Sequence, residues 1–280
     1  MAWLDDFLAA EGLPDRYRET VERVARPLAA TAAEARRANG RSVVVGICGA
    51  QGSGKSTLAM AVKALLAEDG LSAAVLSLDD LYLPRAERAR LAHEVHPLLI
   101  TRGPPGTHDP ALGVATLAAL ARAGPVPLPR FDKAADERRP AADWDVAQGP
   151  VDVVLFEGWC VGARPQPQEA LAAPVNALER DEDPDGRWRG FVNTALAGAY
   201  APLFARLDRL ALLAAPGFET VAAWREEQEA KLRERTGGGM APGQIGRFVA
   251  HYERLTRWIL EEMPPRADAV FRLAADRTPT

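Results

Sequence analysis

Apolar residues recur along this chain in two rhythms, and the places where one gives way to the other divide it into elements. Residues 16 to 38 (RYRETVERVARPLAATAAEARRA) carry apolar positions at helical spacing and stop at Asn39-Gly40, a helix-ending pair. Pro27 is expected to divide this helix into two pieces. RSVVVGI is then a short β-branched run, as in a strand buried on both faces of a parallel sheet. A glycine-rich loop follows, and STLAMAVKALLAEDG reads as a helix closed by Gly70. LSAAVLSL is a second buried strand and ends at Asp79-Asp80. Residues 84 to 110 contain Pro84, Pro97, Pro104, Pro105 and Pro110 and are expected to be loop-rich. A helix from about 110 to 123 precedes a proline-rich stretch, VPLPRFDKAADERRPAADW.

VDVVLFEGW is the third strong strand and ends in Glu157. After an irregular charged segment (ERDEDPDGRWRG) the pattern predicts a helix over about 188 to 206 and a strand, DRLALLAAP. A long charged helix, FETVAAWREEQEAKLRER, ends at a Gly237-Gly238-Gly239 break. One more amphipathic helix and a last strand, ADAVFRL, complete the pattern. Strands alternating with helices predict a parallel α/β sheet with helices on both faces.

The composition narrows the function classes. A chain of 280 residues, 48% of them hydrophobic, can bury one large core, or one core plus a small appended subdomain. A net charge of −4 leaves no basic footprint for nucleic acid. No apolar stretch reaches membrane-spanning length, and MAWLDDFLAAEGLPD lacks the basic start of a secretory signal. Cys48 and Cys160 form no disulfide framework and read as small buried residues, which suits a reducing cytoplasm. Basic charge is almost all arginine, with lysine only at 55, 63, 133 and 231, so a lysine here marks a position where arginine would serve less well.

Gly49-Ala50-Gln51-Gly52-Ser53-Gly54-Lys55-Ser56 fits G-x-x-x-x-G-K-[ST] at every fixed position, with a strand leading in and a helix leading out. Such a loop turns successive backbone N–H groups inward as an anion nest, and the helix start adds its positive end. Residues Gly49 to Thr57 are thus expected to cradle a nucleoside triphosphate, with Lys55 reaching the β- and γ-phosphates and the Ser56 hydroxyl on Mg²⁺. The implied fold is a P-loop NTPase three-layer sandwich around a sheet of about five strands. Ligands in open α/β sheets sit beyond the carboxyl ends of the strands. There the sequence places Asp79, Asp80 and Glu157, on strands expected to flank the loop strand. One carboxylate would serve Mg²⁺ and another would orient and deprotonate an attacking hydroxyl.

LDDLY (78 to 82) resembles the acceptor-side motif of the phosphoribulokinase, uridine kinase and pantothenate kinase group. RGPPGTHD (102 to 109), LPRFDKA (128 to 134), FEGWCVGA (156 to 163) and APGFETVAAWREEQE (215 to 229) are narrower. Together they resemble the plant-type D-glycerate 3-kinases and their bacterial relatives, in the same order from about Val43 to Tyr252. The resemblance implies ATP and Mg²⁺ as cofactors and a small hydroxy acid as acceptor, with D-glycerate giving 3-phosphoglycerate. It implies Asp79 as catalytic base, Glu157 as the Mg²⁺-associated acid, and Arg102, His108, Asp109, Arg130 and Lys133 on the substrate side; Asp80, a second acid whose role the wider group does not fix, is a further candidate to bind substrate. It places Arg225 and the basic positions after it where related kinases carry a lid. Residues 1–40 would then be an N-terminal helical segment and 41–280 the kinase domain, with lid and substrate elements at about 84–145 and 216–242.

The residues themselves leave alternatives open. Asp109-Pro110 is equally an N-cap followed by proline in the first turn. His108 could be loop filler, and Arg130 and Lys133 could form a solvated cluster with Asp132 and Asp136. Tyr82 and Trp159 could wall an acceptor pocket or simply pack. Arg225, Glu229 and Arg233 sit at i,i+4 spacing, as on any solvated helix face, while the triglycine run would let that helix end hinge. A nucleoside, pantothenate or another sugar acid could be the acceptor, and a nucleotide-hydrolysing switch would share the same loop.

Overall fold

The computed structural model describes residues 2–236, 240 and 242–280; the triglycine run at 237–239, read above as a hinge, lies outside the described residues. In chain order the structure begins with α1 (Ala2–Ala10), then α2 (Tyr17–Thr20) and α3 (Arg26–Asn39). The loop strand and helix are β1 (Val43–Gly49) and α4 (Lys55–Glu68), followed by β2 (Ala73–Ser77), α5 (Arg85–Glu94) and α6 (Pro110–Leu120). Four short strands come next: β3 (Gly124–Leu128), β4 (Phe131–Asp132), β5 (Glu137–Arg138) and β6 (Asp145–Gly149). Then follow β7 (Val153–Gly158), α7 (Ala177–Glu182), α8 (Arg187–Ala197), α9 (Ala201–Phe204) and β8 (Arg209–Ala214). The last elements are α10 (Phe218–Thr236), α11 (Pro242–Glu262) and β9 (Ala269–Arg272).

Five of these strands form one parallel sheet in the order β2-β7-β1-β8-β9. Alternate residues of β1 serve opposite layers, as the twofold period of a strand requires. Val43, Val45 and Ile47 pack with α1, α3 and α4, through Leu4, Leu28, Leu58 and Val62. Val44 and Cys48 face the other layer, with Leu117 of α6, Leu196 of α8 and Leu255 of α11. The predicted three-layer α/β sandwich is the observed one.

Several expectations need correction. Only β7 and β8 border β1; β2 pairs with β7, so Asp79 follows a strand one place farther out than expected. Pro27 does not divide the first long helix. A π-turn at Val21–Ala25 joins α2 to α3, and Pro27 falls in the first turn of the α-helical part, where a missing N–H costs little. Residues 84 to 110 are more ordered than their prolines suggested, because Pro84 caps α5 and Pro97 opens a 3₁₀ turn (Pro97–Ile100). The helix expected over 188 to 206 breaks at Gly198 into α8 and α9.

The proline-rich stretch is itself built. β3 pairs antiparallel with β6, and the β4–β5 hairpin projects between them with Phe131 opposite Arg138. No helix among the described residues is long and apolar enough to cross a membrane.

Because Leu28 is 1% exposed and shares a core with β1 and α4, Leu28→Ala should cost about 2–5 kcal/mol. The loss should appear as a lower midpoint of a single cooperative urea transition. An early transition that spares the sheet would show that the N-terminal helices are a separate unit.

Candidate active site

The loop after β1 is shaped by its glycines. Gly52 and Gly54 take φ of +79° and +84°, a region that side chains avoid. A Cβ at Gly52 would also stand 2.7 Å from that of Trp224. Arg277 braces the loop from outside, donating from Nε to the Gly52 carbonyl (2.7 Å) and stacking on Trp224 at 5.3 Å. Lys55 is the first residue of α4, so its ammonium and the helix N-terminus share one side of the loop.

β1 and β7 run in register with Ile47 opposite Glu157, which brings the Glu157 carboxylate up to the loop helix. The Ser56 hydroxyl donates to Glu157 Oε1 at 2.9 Å. Glu157 is 3% exposed, and its Oε2 has no hydrogen-bond partner among the described residues. An open, buried carboxylate oxygen beside a hydroxyl fits a hard cation that completes its shell with phosphate oxygens and water. Ser56 and Glu157 could therefore hold Mg²⁺.

A small cavity of about 50 Å³ opens beside the loop, with Gln51, Lys55, Asp79, Arg102, Lys133 and Arg225 among its polar wall groups. Tyr82, Trp159, Phe248 and Tyr252 supply the aromatic walls. The structure thus brings together residues from five sequence-distant segments that the sequence had assigned to one site. Asp79 is central: its Oδ2 receives Lys133 Nζ at 2.6 Å and its Oδ1 receives the Tyr82 hydroxyl at 2.8 Å. Burial raises the Asp79 carboxyl, but Lys133 and Lys55 outweigh it, with hydrogen bonds from Lys133 and Tyr82 helping, and hold the group well below the usual carboxylate range.

Other predicted residues are placed one layer back. His108 does not border the cavity. It stacks on Tyr82 at 4.5 Å and meets the Tyr200 hydroxyl at 2.6 Å through Nδ1, so it props the tyrosine that touches Asp79. Asp109 caps α6 by accepting from the Leu112 N–H (3.0 Å) and lies 3.4 Å from Arg138. Asp80 accepts from the Phe131 N–H and pairs with Arg130, each at 3.0 Å, and Arg130 also pairs with Asp145 at 2.8 Å. Neither Asp80 nor Arg130 lines the cavity; the two carboxylates already occupy the Arg130 guanidinium, and the pair anchors the β4–β5 hairpin. Burial raises the Asp80 carboxyl, in contrast to its neighbour. Arg225 lies against Phe248, 5.1 Å from the ring centre, and pairs with the buried Glu229. Cys48 and Cys160 are buried, and burial pushes the Cys48 thiol up to about 12, as expected for packing residues.

Tyr252 and Phe248 were not anticipated as site residues, since i,i+4 aromatics on an amphipathic helix are the pattern of a core face. A second cavity, of about 340 Å³, was also unforeseen. It lies on the other side of the loop, against Gly52, Gly54 and Thr57, and is closed by Leu13 and Tyr17 from the start of the chain and by Arg277 from near its end.

Residues 18–82, which hold the loop, match the family model "Methylmalonyl Co-A mutase-associated GTPase MeaB". The chain is 35% identical over 228 residues to the uncharacterized kinase mug58 of Schizosaccharomyces pombe, covering 76% of this chain and 79% of that one. It is 30% identical over 220 residues to the chloroplastic D-glycerate 3-kinase of Arabidopsis thaliana. That match covers 75% of this chain and 46% of the plant protein, so the chain spans about half of the plant protein's length. A solved D-glycerate 3-kinase from Cryptococcus neoformans superposes with a TM-score of 0.74 at 24% identity, over 91% of this chain and 97% of that one, and so shares the fold.

Two buried histidines make the stability of this region pH-dependent. Burial lowers His108 to about 3 and His251 to about 4, against about 6.5 in the unfolded chain. Between those values only the unfolded state binds the protons. Stability should be complete above about pH 6.5 and fall as the pH drops toward 3. His108→Gln should remove part of that slope in Tm against pH; an unchanged slope would contradict the assignment.

Proposed function

This chain belongs to the P-loop kinase family of the fission-yeast and plant proteins, and we propose that it transfers the γ-phosphoryl group of ATP to the 3-hydroxyl of D-glycerate. The observation that carries this reading is the placement of the two cavities on either side of the glycine loop. The larger, about 340 Å³, suits a nucleoside. The loop between them suits the phosphate chain. The smaller, about 50 Å³, has room for a few water molecules. A small acceptor can take their place. Its walls carry Lys55, Arg102, Lys133 and Arg225 beside the Asp79 carboxylate, with Asp136 behind Arg102 and Glu229 behind Arg225, and cations facing the cavity suit an acidic acceptor.

In this reading Lys133 changes partners. It is the most exposed member of the Asp79 pair, 57% against 25%, so it can turn to the acceptor's carboxylate. Asp79 Oδ2 is then free to take the proton of the acceptor hydroxyl. The hydroxyl oxygen bonds to the γ-phosphorus as the bond to the β,γ-bridging oxygen breaks, and ADP leaves with that electron pair. Ser56 and Glu157 would hold Mg²⁺, which would supply positive charge to the phosphate chain. Lys55 and Arg225 stabilise the charge that develops on the transferring group.

The test is ADP release from ATP·Mg²⁺ with D-glycerate, pantothenate, uridine or other sugar acids. Stimulation by D-glycerate alone, with 3-phosphoglycerate as product, is expected. Stimulation only by another acceptor would retain the kinase and remove the glycerate assignment, and hydrolysis indifferent to all of them would favour a nucleotide switch. Asp79→Asn should still fold and bind ATP but lose about 10²–10⁴-fold in kcat. Lys133→Met should raise the KM for D-glycerate by about tenfold or more, the loss of one hydrogen bond to a charged group. Unchanged constants in either variant would remove that residue from its role.

A further inference from the structure

Arg88 lies on α5, away from the cavity walls, and its side chain is 1% exposed. A guanidinium so deeply buried must have its donors satisfied. Arg88 donates to the carbonyls of Leu83 (3.1 Å), Ile100 (2.7 Å) and Asp136 (3.1 Å) and pairs with the Asp136 carboxylate at 2.9 Å. Asp136 stands at the turn of the β4–β5 hairpin with φ of +54°, a left-handed conformation unusual for a residue with a side chain. That backbone turn lets its carbonyl and its carboxylate face the same buried arginine. The other carboxylate oxygen receives Arg102 Nη1 at 2.5 Å, and Arg102 lines the acceptor cavity. Burial works against the charge on Asp136, but the bonds from Arg88 and Arg102 prevail and keep its carboxyl below the usual range.

We infer that Asp136 is a positioning residue for the acceptor: it holds one edge of the Arg102 guanidinium so that the other is presented to the acceptor's carboxylate, and with Arg88 it fixes the hairpin turn that carries Lys133. Two arginines share one carboxylate, so a positive charge remains on the cavity side. Phe131, with its ring centre 5.9 Å from the Arg102 guanidinium carbon, supports the fork from below. A planar fork held at one edge suits a planar anion at the other. The chemical class is thus a small carboxylic acid, and this inference rests on the acidic acceptor proposed above.

Asp136→Asn tests it, because asparagine tolerates the left-handed backbone and keeps the shape while removing the charge. The KM for D-glycerate should rise about tenfold or more, with kcat and the KM for ATP within about twofold of the wild type. A merely structural role would lower the Tm and the active fraction and leave the acceptor KM of the remaining enzyme unchanged, which would overturn the inference. Arg102→Lys supplies a second arm: it should raise the acceptor KM, and the double variant should be no worse than the poorer single one, since both remove the same contact. Additive effects would overturn the inference even if Asp136→Asn folds poorly. If the wild type uses a different carboxylic acid, the same constants are measured with that one, and an acceptor without a carboxylate overturns the inference. A wild type stimulated by no acceptor overturns both this inference and the proposed reaction, whereas a glycerate-active wild type with unmoved variants overturns this inference alone.

Discussion

The parallel pairing of β7 on β1 sets Ile47 opposite Glu157, and the site depends on that register. A slip of one residue would turn the Glu157 side chain to the opposite face of the sheet. It would also move Val153 and Leu155 out of the core they share with β1. The pairing that buries the apolar face is therefore the pairing that delivers a carboxylate to Ser56. Stability and the position of the acid are set by the same hydrogen-bonded ladder, and β2, hung on β7, brings Asp79 to the same end of the sheet.

Around that end the charges are arranged unequally. Asp79 and Asp80 are neighbours in sequence but face different partners, and their carboxyls shift in opposite directions. Asp79 meets an exposed lysine and a tyrosine in the cavity. Asp80 is tied into the hairpin by Arg130 and a backbone N–H. One chain step separates a cavity-lining position from one tied into the hairpin, because the 3₁₀ turn at Leu78–Leu81 points consecutive side chains apart.

What the sequence disclosed was whatever chemistry is local. The run from Gly49 to Thr57 carries its own geometry, since each glycine and the lysine act within nine positions of one another. Strand ends were legible from apolar runs that stop at acids, which located Asp79 and Glu157. The order of the strands was not, because only pairing partners fix it, and β2 proved to lie beyond β7. Asp136 read as part of a solvated cluster, since the arginines that define its role come from positions 34 and 48 residues away. Tyr252 meets the carbonyl of Arg102 across 150 residues, a contact that no local pattern encodes. Periodicity correctly placed α11 as an amphipathic helix but could not tell that part of its apolar face borders a cavity.

The larger cavity is closed by Leu13 and Tyr17 on one side and by Arg277 on another, and Arg23 also donates to the carbonyl of Pro279 at 2.8 Å. These groups are separated by most of the chain's length. On a ribosome, the first of them emerges long before the last is made, so the wall stays incomplete until residue 277 has been added. A ligand that binds there can stabilise only the finished fold, and a half-made chain must rely on its own core while it waits.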